Sequence, residues 1–481
     1  MSQTPPSPSP EEASRERKAV RMIPFIVGCA LFMQMLDATV VATAIPAMAA
    51  ALGTTAVQMN ISITSYLLAL AVFVPISGWA AERFGARRIF ITAIVLFSIS
   101  SIACAVSQDL VQLVLSRIAQ GAAGAMMVPV GRIIMLRKTP KEDLLKAMAF
   151  LAMPALLGPI LGPPVGGFLV TYASWHWIFL INVPVGILGI YLVMRFIREE
   201  LPTTSPRMDW PGFILSAVCL AALVSGFEAI GHQGITTIQV LMLLAVGLLC
   251  GFLYVQHARR CDQPILDLSL LRVPSFAISV LGGNLCRFMV GSMPFLLAIL
   301  LQITFDFSAF LAGLITFTGA AGALLMKVVA TRIIERFGYK TVLTWNALVS
   351  GLFVLLCALF QSSTPLWVMV AILATGGIFR SLQFTAVNTL TYAELNASQM
   401  SKASTLAAMA QQLGISLGVG CAALVLNLSM NWREAATLER VDVMWGFIVI
   451  GLITATSFFS FRRLPENATE ALEGKRRQRQ T

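Results

Sequence analysis

Asp37 is the residue of this chain best placed to move a proton. It stands alone in the apolar stretch MQMLDATVVATAIP, with no charged neighbour in sequence. A carboxylate inside a membrane-length segment is expensive to keep ionised, so it must face a partner or a watery cavity. Such a group can gain and lose a proton as its surroundings change; the bland alternative is a structural hydrogen-bonding role. Arg117 is its candidate partner. At about 1.5 Å per helical residue, Asp37 sits roughly 13 Å and Arg117 roughly 10 Å from the outer surface, so the two can meet at one depth. Gln120 shares the Arg117 face at i+3, and Gly121 and Gly124 let a neighbouring helix come close. Arg117 can also be read as a structural anchor to carbonyl groups.

A second chemistry-bearing stretch is GPILGPPVGG, which contains Gly158, Gly162, Pro163, Pro164, Gly166 and Gly167. Glycines four apart make a groove for close helix packing, and internal prolines remove helix hydrogen bonds and bend the rod. This spacing predicts a helix that flexes or seals an interface. Glu-Arg-Phe-Gly occurs twice, at Glu82–Gly85 and Glu335–Gly338, each copy closing a long apolar segment. Arg83, Arg87 and Arg88 surround the first copy, Arg336 and Lys340 the second. The pairing of a carboxylate with cations at a helix end reads either as a conformational latch or as a solvated topology signal.

Further polar residues lie inside apolar segments. Arg287 and Arg380 are deep enough to line a cavity, whereas Arg132 and Lys327 lie nearer segment ends, where snorkelling explains them. Gln34, Gln120, Asn182, Asn284, Gln383, Asn388 and Gln412 are candidate polar contacts of the same cavity, though each alone is more often a helix–helix hydrogen bond. None of the eight cysteines forms a CxxC pair, and three scattered histidines offer no metal-binding spacing. Neither metal nor cofactor is expected.

The elements that position these residues follow from composition. Of 481 residues, 57% are hydrophobic and 12% charged, too little polar surface for a soluble globule. Apolar runs long enough to cross about 30 Å of hydrocarbon recur from end to end. Hydropathy and charge alternation predict fourteen spans, the fifth near 144–171 and the sixth near 176–196. The net charge of +11 is concentrated in one alternating set of loops. This positive-inside bias places both termini in the cytoplasm and does not mark a nucleic-acid partner. The hairpin copies lie about 250 residues apart, about 50 more than a six-helix half needs, and two spans account for the surplus. The predicted organisation is a disordered cytoplasmic tail at 1–21, a six-helix bundle at 22–196, an inserted two-helix hairpin at 211–257, a second six-helix bundle at 274–462 and a basic tail at 463–481. Related halves with a substrate site between them are a common secondary-transporter architecture.

Together these segments resemble the major facilitator superfamily, specifically its fourteen-helix drug:proton antiporter branch. The hairpin from Gly78 to Arg88 is similar to that superfamily's conserved loop, and RIAQGAAG from Arg117 to its fourth-helix signature. The stretch Gly158–Gly167 matches the antiporter signature at every Gly. LDATVVATAIP and WHWIFLINVPVG are similar to the branch's first- and sixth-helix signatures. Two positions depart: Glu82 stands where Asp is usual, and Ala42 where Asn is usual. The resemblance implies an all-α membrane protein, proton coupling by Asp37 and Arg117, an antiporter hinge at Gly158, Gly162, Pro163, Gly166 and Gly167, and gating by Gly78, Glu82, Arg83, Gly85, Arg87 and Arg88. The expected activity is multidrug efflux, with export of amphipathic or cationic compounds across a bacterial inner membrane against inward protons. Efflux of a particular metabolite, such as an amino acid or siderophore, is the alternative. The expected partners are a small-molecule substrate, protons and the bilayer, with a monomer doing the work; a periplasmic adaptor is not specified. An enzyme or sensor would need paired intramembrane carboxylates, a His-rich site or a soluble domain, and a fixed channel would not need repeated hairpins.

Overall fold

A computed structural model describes residues 10–138, 157–158, 161–197, 208–230, 235–261, 264–395, 399–435 and 437–465. The described residues form helices and no strand. The N-terminal half contains α1 (Pro10–Ala51), α2 (Ile61–Phe84), α3 (Ala86–Ala105), α4 (Leu110–Lys138), α5 (161–172) and α6, built from Trp177–Leu180 and Asn182–Phe196. Then come α7 (Trp210–Ala229) and α8 (Thr237–Ala258). The C-terminal half contains α9 (Pro274–Ile299), α10 (Ala309–Phe337), α11 (Tyr339–Cys357), α12 (Leu366–Leu390), α13 (Met400–Trp432) and α14 (Arg440–Arg462). Thirteen of these are long and apolar enough to cross a membrane. The predicted fifth span falls largely outside the described residues, as does most of the tail at 463–481.

Two boundaries differ from expectation. Helix α1 begins at Pro10, so the segment expected to be disordered is helical from there on. Proline suits the first helical position, and the Glu, Ala, Arg and Lys that follow are good helix formers. They need only propagate a helix that the span already nucleates. The sixth span breaks at Ile181, where Pro184 lacks the N–H that would bond the Leu180 carbonyl.

The two Glu-Arg-Phe-Gly hairpins have the same backbone. Gly85 has φ 92° and ψ 129°, Gly338 φ 77° and ψ 154°. Each caps its helix through its N–H, to Ala81 O at 3.1 Å and Ile334 O at 2.9 Å. A side chain is disfavoured at such a φ, which explains the glycine in both copies. Helices α2 and α3 pack on α4, and α1 and α3 on α6; in the other half α10 packs on α12, α11 on α12 and α14, and α9 on α13 and α14. Helix α2 joins α13, and α1 joins α9, across the middle.

Helices α7 and α8 pack on each other and touch the rest through α2 and α13. Phe73 meets Phe213 at 6.0 Å and Trp79 meets Trp210 at 5.7 Å between ring centroids. Only 11% of the α8 span is buried, and Leu241, Leu248 and Phe252 point outward, as a lipid-facing helix requires. The hairpin's base is stapled: Asp209 caps Gly212 N–H at 2.9 Å, accepts from Ile265 N–H at 3.2 Å and meets His257 Nε2 at 2.7 Å. The connecting segment continues to Asp267, which accepts from Ser269 Oγ and Lys402 Nζ. The serine hydroxyl first, and the lysine with it, hold this carboxyl below its ordinary range.

Candidate functional site

Asp37 and Arg117 meet in the interior of the N-terminal half. Helix α1 carries Asp37 and α4 carries Arg117, and the two form an ion pair of 2.6 Å with both side chains 0% exposed. The other carboxylate oxygen accepts from Gln120 Nε2 at 2.9 Å and Asn182 Nδ2 at 2.8 Å. All three partners are donors, the arrangement an ionised carboxylate satisfies best. Ser101 on α3 holds the two amides in place, at 2.7 Å from Gln120 and 3.3 Å from Asn182. Arg117 also donates from Nε to Ser62 O at 3.0 Å and from Nη1 to Gln120 Oε1. The Tyr66 ring lies over its guanidinium at 4.1 Å, a contact that stabilises a cation in an apolar setting.

A cavity of about 630 Å³ lies between the halves, within the roughly 300–1,000 Å³ typical of small-molecule sites. Gln34, Thr39, Ala42 and Tyr66 form part of one wall, and Met293, Phe353, Arg380 and Gln412 part of the other. Asp37 and Arg117 are not on its surface; Tyr66, which lies over the Arg117 guanidinium, is. The cavity reaches Arg132 and Lys327, exposed residues in the parts of α4 and α10 nearest the Arg- and Lys-rich connections. This basic end is therefore open.

The opposite end is closed by α5. A Cβ added to Gly158 would sit 2.6 Å from Met35 Cβ, one at Gly162 would strike Thr39 Oγ1, and one at Gly166 would strike Thr43 Oγ1. Gly167, on another face, lies against the Ala309 backbone at the start of α10, and Gly313 lies against Pro163. The stripe thus lets α5 wedge between α1 and α10. Phe310 N–H donates to Thr171 Oγ1 at 3.0 Å, and the Phe310 ring meets Tyr172 and Phe168 at 5.8 and 6.3 Å. Gln302, in a π-turn at Leu300–Thr304, donates to Thr43 O at 2.9 Å and ties the halves together nearby.

The family model described as Major Facilitator Superfamily matches residues 27–293 and 280–480, nearly the whole chain. The chain belongs to the major facilitator superfamily. It is 38% identical over 460 residues to "Putative multidrug resistance protein MdtD" of Escherichia fergusonii, covering 95% of this chain and 97% of that one. A protein of the same name from Pectobacterium atrosepticum is 38% identical over 449 residues, covering 93% and 96%. Among solved structures, a D-xylose–proton symporter superposes with a TM-score of 0.66 at 16% identity, covering 93% of this chain and 98% of that one. A POT family transporter superposes with a TM-score of 0.67 at 14% identity, covering 92% and 95%. At these identities the solved structures speak for the fold alone. The chain is thus a multi-pass membrane transporter with the major facilitator fold.

Within this major facilitator chain the residues singled out from sequence fall into separate groups. Gln34, Arg380 and Gln412 are on the cavity wall, and Arg287 and Gln383 line a recess that shares Arg380 and Phe384 with it. Gln120 and Asn182 are not on that wall; they hold the Asp37 carboxylate. Asn284 and Asn388 accept from Arg287 Nη1 and Nη2 at 2.9 and 3.4 Å. Gln383 is engaged with Asn346 at 2.8 Å. Arg132 and Lys327 line the cavity, which replaces the snorkelling explanation. In the first hairpin Glu82, Arg83 and Arg88 are exposed, and Arg87 donates to the Met194 carbonyl of α6 at 3.2 Å. A Cβ on Gly78 would meet open space.

Asp209, His257 and Cys261 bring three metal-capable atoms within 4.8 Å of one another, a grouping hidden by their sequence separation. Its carboxylate already serves as helix cap and staple. Ser101, Tyr66, Thr39 and Gln302 were not singled out from sequence. Hydroxyls and amides on apolar helices are too common to stand out before their partners are known.

Proposed function

We propose that the chain is a proton-coupled exporter that trades inward protons for outward amphipathic compounds across a bacterial inner membrane, with both termini in the cytoplasm. The observation carrying this reading is the dry Asp37–Arg117 pair behind the wall of a cavity open at the basic end. With the basic end in the cytoplasm, as the charge bias favours, this is an inward-facing transporter with its cavity open to cargo from that side.

Proton and substrate act through one two-state element: each shifts the balance only by its differential affinity for the two conformations. Protonating Asp37 removes the charge that Arg117 neutralises and weakens the bonds joining α1 to α4 and α6. Loss of those bonds frees α1, which carries Thr39 and Thr43 against the α5 glycines. Opening at the far end must separate α5 from α10 at Gly167, Thr171 and Phe310. Closing at the basic end would fill the open space beside Gly78 and engage the Glu82 and Glu335 hairpins. This gating cycle gives the Gly158–Gly167 stripe its role as a sliding surface.

The test is uptake of a compound panel into energised inverted vesicles, with pH recorded on both sides. Accumulation that collapses when the pH gradient is dissipated, and protons that leave the vesicle with uptake, are the expected results. Substrate uptake insensitive to the gradient would refute proton coupling.

A further inference from the structure

The charges among the described residues that line the cavity are of one sign. Arg132, Lys327 and Arg380 line it, Arg287 lines its recess, and no described acidic residue touches either. The acid closest along α1, Asp37, is fully buried off the cavity wall and already neutralised by Arg117. In the C-terminal half the described carboxylates lie at helix ends or in connections: Glu394 accepts from Ser275 N–H and Asp442 is paired with Arg433. No described carboxylate on this side pairs with Arg287 or Arg380.

Arg287 is 3% exposed. Two of its nitrogens are held by Asn284 and Asn388, both neutral acceptors, and its Nε has no partner. Arg380 has no hydrogen-bond or ion-pair partner among the described residues, yet it borders both the recess and the main cavity. Two guanidinium groups kept in a mostly apolar space without a counter-ion carry a desolvation cost that a bound anion removes. A guanidinium also presents paired N–H donors matched to the two oxygens of a carboxylate or phosphate. A cationic drug would instead add a further positive charge to a cavity where no described acid stands to receive it.

We propose that the cargo is an amphipathic anion, its carboxylate or phosphate held by Arg287 and Arg380 and its apolar body lying on Met289, Met293, Phe353 and Phe384. This rests on the transporter reading above and replaces the cationic class expected from sequence. Arg132 and Lys327, nearer the open end, form an entry of matching charge that raises the local concentration of anions. Ala42 on the facing wall adds no polar demand, so that side accepts an apolar surface.

The experiment uses the full chain in phosphatidylcholine nanodiscs, with no proton gradient, and two probes sharing one apolar body: naphthylacetate and naphthylethylammonium. Binding is read by equilibrium dialysis. The anion is expected to bind at least about tenfold more tightly than the cation, and Arg380→Gln to weaken the anion by about tenfold without weakening the cation, which loses a like charge beside it. Arg380→Lys should recover part of that loss, which a merely structural role would not predict. Arg287→Gln should behave like Arg380→Gln, provided that thermal unfolding shows the variant folded. Equal or tighter binding of the cation, no binding of the anion, or anion binding indifferent to Arg380→Gln would each overturn the assignment. Displacement of the probe by added phosphatidylglycerol would give the site to a lipid headgroup and overturn the cargo assignment. Naphthylacetate that binds as expected in nanodiscs but is not accumulated by energised vesicles would remove the proton-coupled reading and leave the anion site standing.

Discussion

Asp37→Asn tests the proposed proton site and the structure together. The variant keeps the shape of the side chain but removes the charge that a fully buried Arg117 faces at 2.6 Å. It also replaces one acceptor oxygen by an NH₂ group, which must point at Arg117 or at the Gln120 and Asn182 amides, all donors in the native arrangement. Breaking one side of a buried ion pair costs about 3–5 kcal/mol, because the other charge remains buried and unpaired. That is a large part of a typical total stability of about 5–15 kcal/mol. Arg117→Gln should cost a similar amount from the opposite side. The double variant leaves only neutral groups in the pocket, so its cost should fall below the sum of the singles by about 2–3 kcal/mol, at the upper range for contacting residues. Reversible unfolding of the purified proteins in mixed micelles, titrated with sodium dodecyl sulfate, measures all three. Gradient-driven accumulation should be lost in Asp37→Asn and in the double variant, because neither can cycle a charge at Asp37. A double variant that costs the full sum, or an Asp37→Asn protein that still accumulates substrate against a pH gradient, would refute the reasoning.

Gly162→Leu should insert and fold but lower turnover at least about tenfold, since any Cβ there strikes Thr39 on α1; substrate uptake by vesicles with matched protein content is the measurement. Gly85→Ala and Gly338→Ala should each lose about 1–3 kcal/mol, because their φ and ψ lie in a region that is nearly Gly-only, whereas Gly78→Ala, inside α2 and facing open space, should gain about 0.5–1 kcal/mol from the better helix former; chemical unfolding of the three variants side by side decides it. Cysteines placed along 211–257 in a background without native thiols should react poorly with hydrophilic reagents and show no substrate protection, while cavity-wall sites such as Gln412 should react readily. Protection along α7 or α8 as strong as at Gln412 would bring the hairpin into the transport path.

How far the chain was legible before its structure depended on whether a signal was local. Thirteen of the fourteen expected spans, and their type, followed from apolar length, a property of contiguous residues, and the hairpin glycines from a four-residue repeat whose backbone proved equivalent. The Asp37–Arg117 meeting was also accessible, since depth along a straight helix is a linear measure. What surrounds the pair was not. Asn182 and Gln120 were read as cavity contacts because both are polar residues at the right depth. Only the rotation of α4 and α6 about their axes decides that they face α1. Arg132 and Lys327 were misread for a related reason: nearness to a span end suggests snorkelling, and sequence cannot say whether that end faces lipid or an opening between halves. The start of α1 shows another limit. A charged, helix-favouring stretch reads as disorder by composition, yet it prolongs a helix nucleated downstream.

The hairpins of the two halves share one backbone, but their interiors carry opposite solutions to buried charge. In the first half a carboxylate and a guanidinium neutralise each other, with Gln120 and Asn182 donating to the carboxylate, although Arg117 Nη2 has no hydrogen-bond partner among the described residues. In the second, Arg287 and Arg380 have neutral partners or none among the described residues, so that site is incomplete until something negative arrives. A transporter gains from this division. Were both ligands bound by one set of charges, each would have to displace the other directly. Kept apart, with Tyr66 touching both the Arg117 guanidinium and the cavity, they can communicate through the position of α1 and its sliding contact with α5. On this view the common backbone supplies the symmetric motion, and the side chains make one half responsive to protons and the other to cargo.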